Sequence, residues 1–121
     1  MENKTTLVIG ASENTERYSY KAIVQLLKHK HLVEAISIKK GSVQGVAFHT
    51  NLPALPSIDT VTLYVGPKHQ AAYYDYVIAL KPRRVIFNPG TENPEFSALL
   101  QQQDIISLEA CTLVMLSTNQ Y

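Results

Sequence analysis

Groups that could bind a phosphate cluster near the start of this sequence, directly after a short apolar run. Residues 6–10 have the pattern of a buried strand that ends in glycine, and a helical pattern begins a few residues later. A turn between a strand and a helix exposes backbone N–H groups beside the positive end of the helix dipole. The turn also carries short hydroxyl and amide side chains, those of Ser12, Asn14, Thr15 and Ser19. The stretch therefore predicts a phosphate-binding loop, with plain turn and cap roles as the alternative.

Two adjacent lysines form a second candidate for a phosphate contact. Lys39 and Lys40 enter a turn flanked by Gly41 and Gly45, after the second predicted strand. Neighbouring parallel strands end at one edge of a sheet, so this turn is expected beside the first loop. An NAD site usually has Asp or Glu here and a G-x-G-x-x-G loop, whereas no glycine stands between Gly10 and Gly41. The lysines instead favour a ligand whose ribose carries an extra phosphate, unless they are simply solvated.

A third loop with ligand-type residues follows a later strand. Asn88 can donate or accept a hydrogen bond, Pro89 stiffens the turn, and Gly90 permits close approach of the backbone or a positive φ. The same three residues also make an ordinary turn. The loop gains weight because it is expected at the same edge as the other two.

The alternation of patterns along the chain predicts how these loops meet. Strands are predicted at residues 6–10, 33–38, 61–65, 85–88 and 105–108. Helices are predicted at 18–30, at 67–81, from Pro94 with Asn93 as the N-cap, and at 112–117. This order predicts an α/β fold of three layers, in which helices cover both faces of a five-stranded, mainly parallel sheet. At this length, residues 1–121 are expected to form a single domain.

Taken in order, these motifs resemble those of a known family, the small CoA-binding proteins whose fold matches the N-terminal domain of the succinyl-CoA synthetase alpha subunit. The resemblance covers the full chain. Its motifs are V-I-G-A-S-x-N-x-x-R-x-S at 8–19, the turn at Lys40-Gly41, T-V-T-L-Y-V at 60–65 followed by Pro67, R-V-I-F-N-P-G-T-E-N at 84–93, and A-C-T-L-V at 110–114. The resemblance implies a Rossmann-like domain that binds coenzyme A.

The resemblance also implies which residues contact the ligand. The first loop would hold the CoA phosphates, Lys40 matches the family's phosphate-contacting lysine, and the loop at 88–90 would line the nucleotide and the pantetheine. The predicted ligand-binding residues are Gly10, Ala11, Ser12, Glu13, Asn14, Thr15, Arg17, Ser19, Lys39, Lys40, Pro67, Asn88, Pro89 and Gly90. The synthetase carries its phosphorylated catalytic histidine in a further domain. No histidine of this chain matches it, so no catalytic residue is predicted.

Composition and charge narrow the range of partners. With 11 Lys and Arg against 10 Asp and Glu, the net charge of +1 gives no basic field for nucleic acid. No apolar run approaches the roughly 20 residues of a membrane helix, and no signal-peptide pattern precedes the first strand, so a soluble cytoplasmic protein is expected. The single cysteine, Cys111, leaves no internal disulfide and no Cys-rich metal site. It follows the fifth predicted strand, which puts its thiol at the ligand edge unless it is simply buried.

The predicted function is binding of CoA or an acyl-CoA through its phosphates, without a reaction of its own. One alternative is an NADP-dependent reductase, in which Lys39 and Lys40 would hold the 2′-phosphate. Another is a regulatory module that senses CoA and contacts an unknown protein partner through Tyr73, Tyr74 and Tyr76, of which at least one is expected to be exposed.

Overall fold

The computed structural model describes residues 3–121. The single domain predicted at residues 1–121 includes Met1 and Glu2, which lie outside the described residues. The described chain forms one sheet with helices packed on both faces, so the α/β class and the three layers agree with the prediction.

The strands occupy short segments with nearly continuous apolar sequence in the middle of the sheet. They are β1 (Thr6–Ile9), β2 (Val33–Ile36), β3 (Ser42–Val43), β4 (Val46–His49), β5 (Thr60–Leu63), β6 (Arg84–Phe87) and β7 (Ile106–Glu109). Their order in the sheet is β3-β4-β2-β1-β5-β6-β7. All neighbouring pairs are parallel except β3 with β4, so the sheet is mainly parallel as predicted.

The predicted number of five strands is wrong, because the sheet has seven. The two additional strands, β3 and β4, form a hairpin that begins within the predicted lysine-glycine turn. Gln44 and Gly45 have φ values of 48° and 87°, the left-handed backbone of a two-residue hairpin turn. Val43 and Val46 pair across this turn. A two-residue strand is too short to show the alternation by which strands are predicted from sequence.

The helices are α1 (Tyr18–Lys28), α2 (Tyr74–Leu80), α3 (Pro94–Gln102) and α4 (Thr112–Ser117). The start of α3 is confirmed, since Pro94 opens the helix and Asn93 Oδ1 accepts the Phe96 N–H at 3.2 Å. The helix predicted at 67–81 is regular only from Tyr74. Two short 3-10 turns at Pro67–His69 and Ala71–Tyr73 precede it, with the buried side chain of Gln70 between them.

Two apolar layers hold the helices on the sheet. One contains Val77 and Phe96 and joins α2 and α3 to one face. The other contains Ile23, Leu26 and Leu116 and joins α1 and α4 to the opposite face. Side chains alternate between the two faces along each strand, so a strand such as β1 is buried on both sides.

The expectation that one of the three neighbouring tyrosines is exposed is wrong. Tyr73, Tyr74 and Tyr76 are all half-buried and pack on the layer that contains Phe96. Tyr74 stacks on the Phe96 ring with centroids 4.3 Å apart, and the Tyr76 hydroxyl donates to Pro53 O at 2.6 Å. Their polar ends reach the surface or a partner while their rings fill the core.

Candidate functional site

The direction in which strands are added to the sheet reverses at β1, which lies between β2 and β5. Open parallel sheets bind ligands beyond the carboxyl ends of their strands at such a switch point. Here the N–H groups of Gly10 and Ala11 both donate to Ile36 O, each at 3.0 Å, and turn the chain over β2. Gly10 has a φ of 97°, and a Cβ at this position would lie 2.8 Å from Tyr64 O. Its conformation and the closeness of the chain after β5 therefore both require glycine.

The polar side chains of the first loop support the loop's own backbone. Ser12 Oγ accepts the Asn14 N–H at 3.0 Å, and Asn14 Oδ1 accepts the Glu16 N–H at 3.0 Å. Helix α1 then begins at Tyr18, and its N-cap, Arg17, contributes no side-chain cap. Ser12 and Asn14 thus have the turn role. The first N–H groups of α1 have no side-chain cap, so they are available at the positive end of the helix dipole as hydrogen-bond donors to an anion.

The lysine loop is connected to the first loop by a carboxylate. Lys39 and Lys40 are exposed just after β2, and neither takes part in an ion pair within residues 3–121. Glu13 Oε2 accepts the Ser42 N–H at 2.8 Å. Gly41 lies against the same side chain, because a Cβ there would be 2.7 Å from Glu13 Cδ. Glu13, which the sequence groups with the phosphate-binding loop, therefore holds the two loops together.

The side chain of Asn88 is used inside the protein. It is 3% exposed. Its Nδ2 donates to Thr62 Oγ1 at 2.7 Å and to Leu63 O at 2.9 Å, and its Oδ1 accepts the Thr112 N–H at 2.9 Å. Both ends of the amide are therefore occupied in joining β5, β6 and α4. The two residues that follow it, Pro89 and Gly90, are exposed.

These loops surround a cleft of ≈ 670 Å³. The predicted residues that line it are Gly10, Ala11, Ser12, Glu13, Asn14, Arg17, Ser19, Lys39, Lys40, Pro89 and Gly90. Three other predicted residues, Thr15, Pro67 and Asn88, are not among the residues that line it. The charged side chains that line the cleft are three cations, Arg17, Lys39 and Lys40, and one carboxylate, Glu13. The cleft is therefore locally positive although the chain as a whole is nearly neutral.

Several residues that line the cleft were missed by sequence reasoning. They are Tyr18, Ser37, Ile38, Phe48, Tyr64, Val65, Gly66, Tyr73 and Thr91. Ile38 is 88% exposed and Tyr18 is 68% exposed, so apolar surface is open beside the cationic loop. The strand predicted at 33–38 includes Ile38. Strand β2 instead ends at Ile36, so Ile38 lies beyond the sheet and its side chain is free to line the cleft.

Tyr64 places a buried phenol beneath the cleft. It follows β5 and packs on the layer shared by α1 and α4. Its hydroxyl lies near those of Thr62 and Thr112 but makes no hydrogen bond within the described residues. Burial raises the pKa of Tyr64, so the phenol stays protonated at neutral pH. Cys111, the N-cap of α4, is half-buried in the same region, and it is not among the residues that line the cleft.

His31 lies away from the cleft, at the end of the sheet where β1 begins. Its Nδ1 accepts the Lys4 N–H at 2.9 Å, and its ring centroid is 4.9 Å from that of Tyr121. Burial, and then the charge of Lys4, lowers the pKa of His31 below its ordinary value. Within residues 3–121, no group of three or more His, Cys, Asp or Glu side chains could hold a metal ion. None of the described helices is long and apolar enough to cross a membrane.

Comparisons with known proteins agree with this architecture. A family model described as a CoA binding domain matches residues 4–117. The crystal structure of an uncharacterized protein is 43% identical, with all of both chains covered (100% and 100%) and a TM-score of 0.98. A hypothetical protein from Pyrococcus horikoshii is 25% identical, with 96% of this chain and 83% of that chain covered and a TM-score of 0.87. A protein from Thermus thermophilus, 20% identical with a TM-score of 0.85 over 98% of this chain and 91% of that chain, shares the fold. No relative was found among curated proteins.

Proposed function

The chain belongs to the CoA-binding domain family, and from this premise we propose that it binds coenzyme A or an acyl-CoA in the cleft at the switch point. One observation carries the proposal: the uncapped start of α1 and a pair of exposed lysines line the same cleft. CoA carries a diphosphate and, on the ribose, a separate 3′-phosphate. We assign the diphosphate to the first loop and the start of α1, and the 3′-phosphate to Lys39 and Lys40.

The charges in the cleft support this assignment. An unmodified ribose, as in NAD, is usually bound by an Asp or Glu at the end of the second strand, where this chain has lysines. The one carboxylate that lines the cleft, Glu13, already accepts a backbone N–H. The exposed side chain of Ile38 offers an apolar contact for the adenine base beside the lysines. Residues 1–121 would act as one binding unit, and no residue is assigned a catalytic role.

Equilibrium titration with CoA, acetyl-CoA, NAD and NADP tests the proposal. We expect CoA or acetyl-CoA to bind most tightly and to raise the melting temperature most. A ligand at 100 times its dissociation constant adds about 2.7 kcal/mol to the free energy of unfolding. The double variant Lys39→Ala with Lys40→Ala should bind CoA much more weakly. As a matched control, Lys28→Ala removes an exposed charge from the last turn of α1 and should leave affinity unchanged.

The same titration separates the alternatives. Tighter binding of NADP than of CoA would replace the proposal with the reductase, which would use the two lysines for the 2′-phosphate. Capture of a protein partner only in the presence of CoA would add the regulatory role to the binding role. Failure of all four ligands to bind would reject nucleotide binding in this cleft.

A further inference from the structure

Gln70 is a buried amide beside the cleft that the proposed function does not use. It lies between the two 3-10 turns that precede α2, and its side chain is 0% exposed. Its Nε2 donates to Val65 O at 3.0 Å and to Thr91 O at 2.7 Å. Its Oε1 accepts from Asn93 Nδ2 at 3.0 Å. Both amide hydrogens and the carbonyl therefore have partners, as a fully buried amide requires.

The two carbonyls that Gln70 binds belong to different walls of the cleft. Val65 follows β5 and Thr91 follows β6, and both line the cleft. The strands pair up to Leu63 and Phe87, after which the two chains leave the sheet. Backbone bonds then turn each loop on itself, from the Thr91 N–H to Asn88 O and from the His69 N–H to Gly66 O. The Gln70 amide connects the two loops across the space between them.

The network continues into the helix that follows the third loop. Asn93 Nδ2 donates to Gln70 Oε1 and also to the Tyr74 hydroxyl at 2.8 Å. Asn93 Oδ1 caps α3 by accepting the Phe96 N–H. The position of each loop is thus linked to the starts of α2 and α3, which are packed on the sheet. Because the Gln70 side chain is fully buried, losing the donor of Gln70 or that of Asn93 would leave a carbonyl without a partner and would free the loops to separate.

We propose that Gln70 is a positioning residue that fixes the spacing of the loops after β5 and β6, and through them the affinity for the part of the ligand farthest from the lysines. This inference rests on the proposed CoA binding. The strand order places these two loops on the side of β1 opposite β2 and the lysine loop. A ligand held only at the lysine end does not depend on Gln70. A ligand that spans the cleft needs both loops already in place, because ordering them on binding reduces affinity.

Two ligands and two variants test the inference. CoA spans the cleft, whereas adenosine 3′,5′-bisphosphate carries the 3′-phosphate without the pantetheine. Gln70→Met keeps the length of the side chain and removes all its hydrogen bonds. Asn93→Asp keeps the cap on α3 but loses the donor to Gln70 Oε1, which turns the amide away from one or both carbonyls. For each variant we expect the dissociation constant of CoA to rise about tenfold or more, and that of the bisphosphate to change less than about twofold.

A control variant separates positioning from loss of stability. Leu100→Ala opens a cavity in the core near the far end of α3 and removes no residue that lines the cleft. It should lower the free energy of unfolding while leaving both affinities unchanged in the folded protein. If Gln70→Met does not fold, Asn93→Asp decides the question.

The outcomes distinguish this inference from the proposed function. If the unmodified protein binds CoA and the variants weaken both ligands equally, or weaken neither, Gln70 has a structural role only and the inference is overturned. If the unmodified protein binds neither ligand, the proposed function fails and the inference falls with it. A selective loss of CoA affinity in the variants, absent in Leu100→Ala, supports the inference.

Discussion

Replacing Gly10 with alanine tests whether close packing of two strand ends shapes the cleft. The residue has a φ of 97°, and an added Cβ would lie 2.8 Å from Tyr64 O and 3.0 Å from Val65 Cγ1. A carbon this close to a backbone oxygen is repelled, because nonbonded heavy atoms attract most strongly at about 3.5–4.0 Å. The oxygen cannot move away freely, because it belongs to the chain directly after β5, whose residues are buried on both faces.

The cost has two parts that the chain's own glycines can separate. An alanine forced into an unfavourable backbone region costs about 1–3 kcal/mol, and an extra methyl group in a packed site costs about 1–3 kcal/mol more. Gly45 has a φ of 87° with nothing within 4 Å of an added Cβ, so Gly45→Ala carries the first cost alone. We therefore expect Gly10→Ala to lower the free energy of unfolding by about 1–3 kcal/mol more than Gly45→Ala does.

Urea unfolding followed by circular dichroism measures the free energy of unfolding of both variants. CoA titration of the folded protein then reports on the cleft, where Gly10→Ala should also weaken binding, since the methyl group pushes the first loop away from β5. Gly45→Ala is the control for affinity as well, because Gly45 is not among the residues that line the cleft, and it should leave CoA binding unchanged. Equal losses of stability in Gly10→Ala and Gly45→Ala would refute the steric explanation of the glycine.

Three further outcomes are expected. Lys40→Ala should weaken CoA by roughly 1.5–3 kcal/mol while hardly affecting dephospho-CoA; equal losses in isothermal titration would show that this lysine does not contact the 3′-phosphate. Because the pKa of His31 is lowered in the folded state from its ordinary 6.5, the unfolded state binds more protons than the folded state between that lowered pKa and about pH 6.5. As the pH is lowered through this window, the free energy of unfolding should fall with a slope of up to about 1.4 kcal/mol per pH unit. If urea unfolding of His31→Asn keeps the pH dependence of the unmodified protein, this explanation is contradicted. Because Cys111 is half-buried and is not among the residues that line the cleft, mild oxidation with CoA should give no mixed disulfide at this thiol, and a small thiol reagent should label it slowly in the folded protein. An adduct that intact-mass spectrometry detects and Cys111→Ser abolishes would show instead that the thiol reaches the ligand.

The parts of the fold that depend on local patterns were predictable from sequence. A continuous apolar run ending in glycine identified β1, and the Asn-Pro pair located the start of α3. Both patterns are made by a few neighbouring residues, because an apolar strand and a helix cap each depend mainly on residues close together in the sequence. The hairpin of β3 and β4 was missed because one of its strands has two residues. Its turn, Gln44-Gly45, lacks the asparagine or aspartate that usually identifies such turns.

The candidate site was predictable in position but not in the roles of its side chains. The loops meet at one edge because parallel strands all end there. However, whether a polar side chain faces a ligand or another loop depends on contacts between distant residues. Asn88 is a residue type that often contacts ligands, but here its amide makes hydrogen bonds with Thr62, Leu63 and Thr112. Gln70 carries no sequence signal at all, since its partners lie in the next loop along the sheet.

The position of β1 between β2 and β5 has a consequence for how the protein is made. Thr6 is synthesised well before Thr60, which is one of its two partners in the sheet. At roughly 5–20 residues per second, translation of the intervening chain takes on the order of seconds. During that time β1 has an open edge, and Gly10 has no Tyr64 to pack against. A nascent chain that stops before β5 would therefore contain the complete sequence of the first loop without the neighbour that gives the loop its shape.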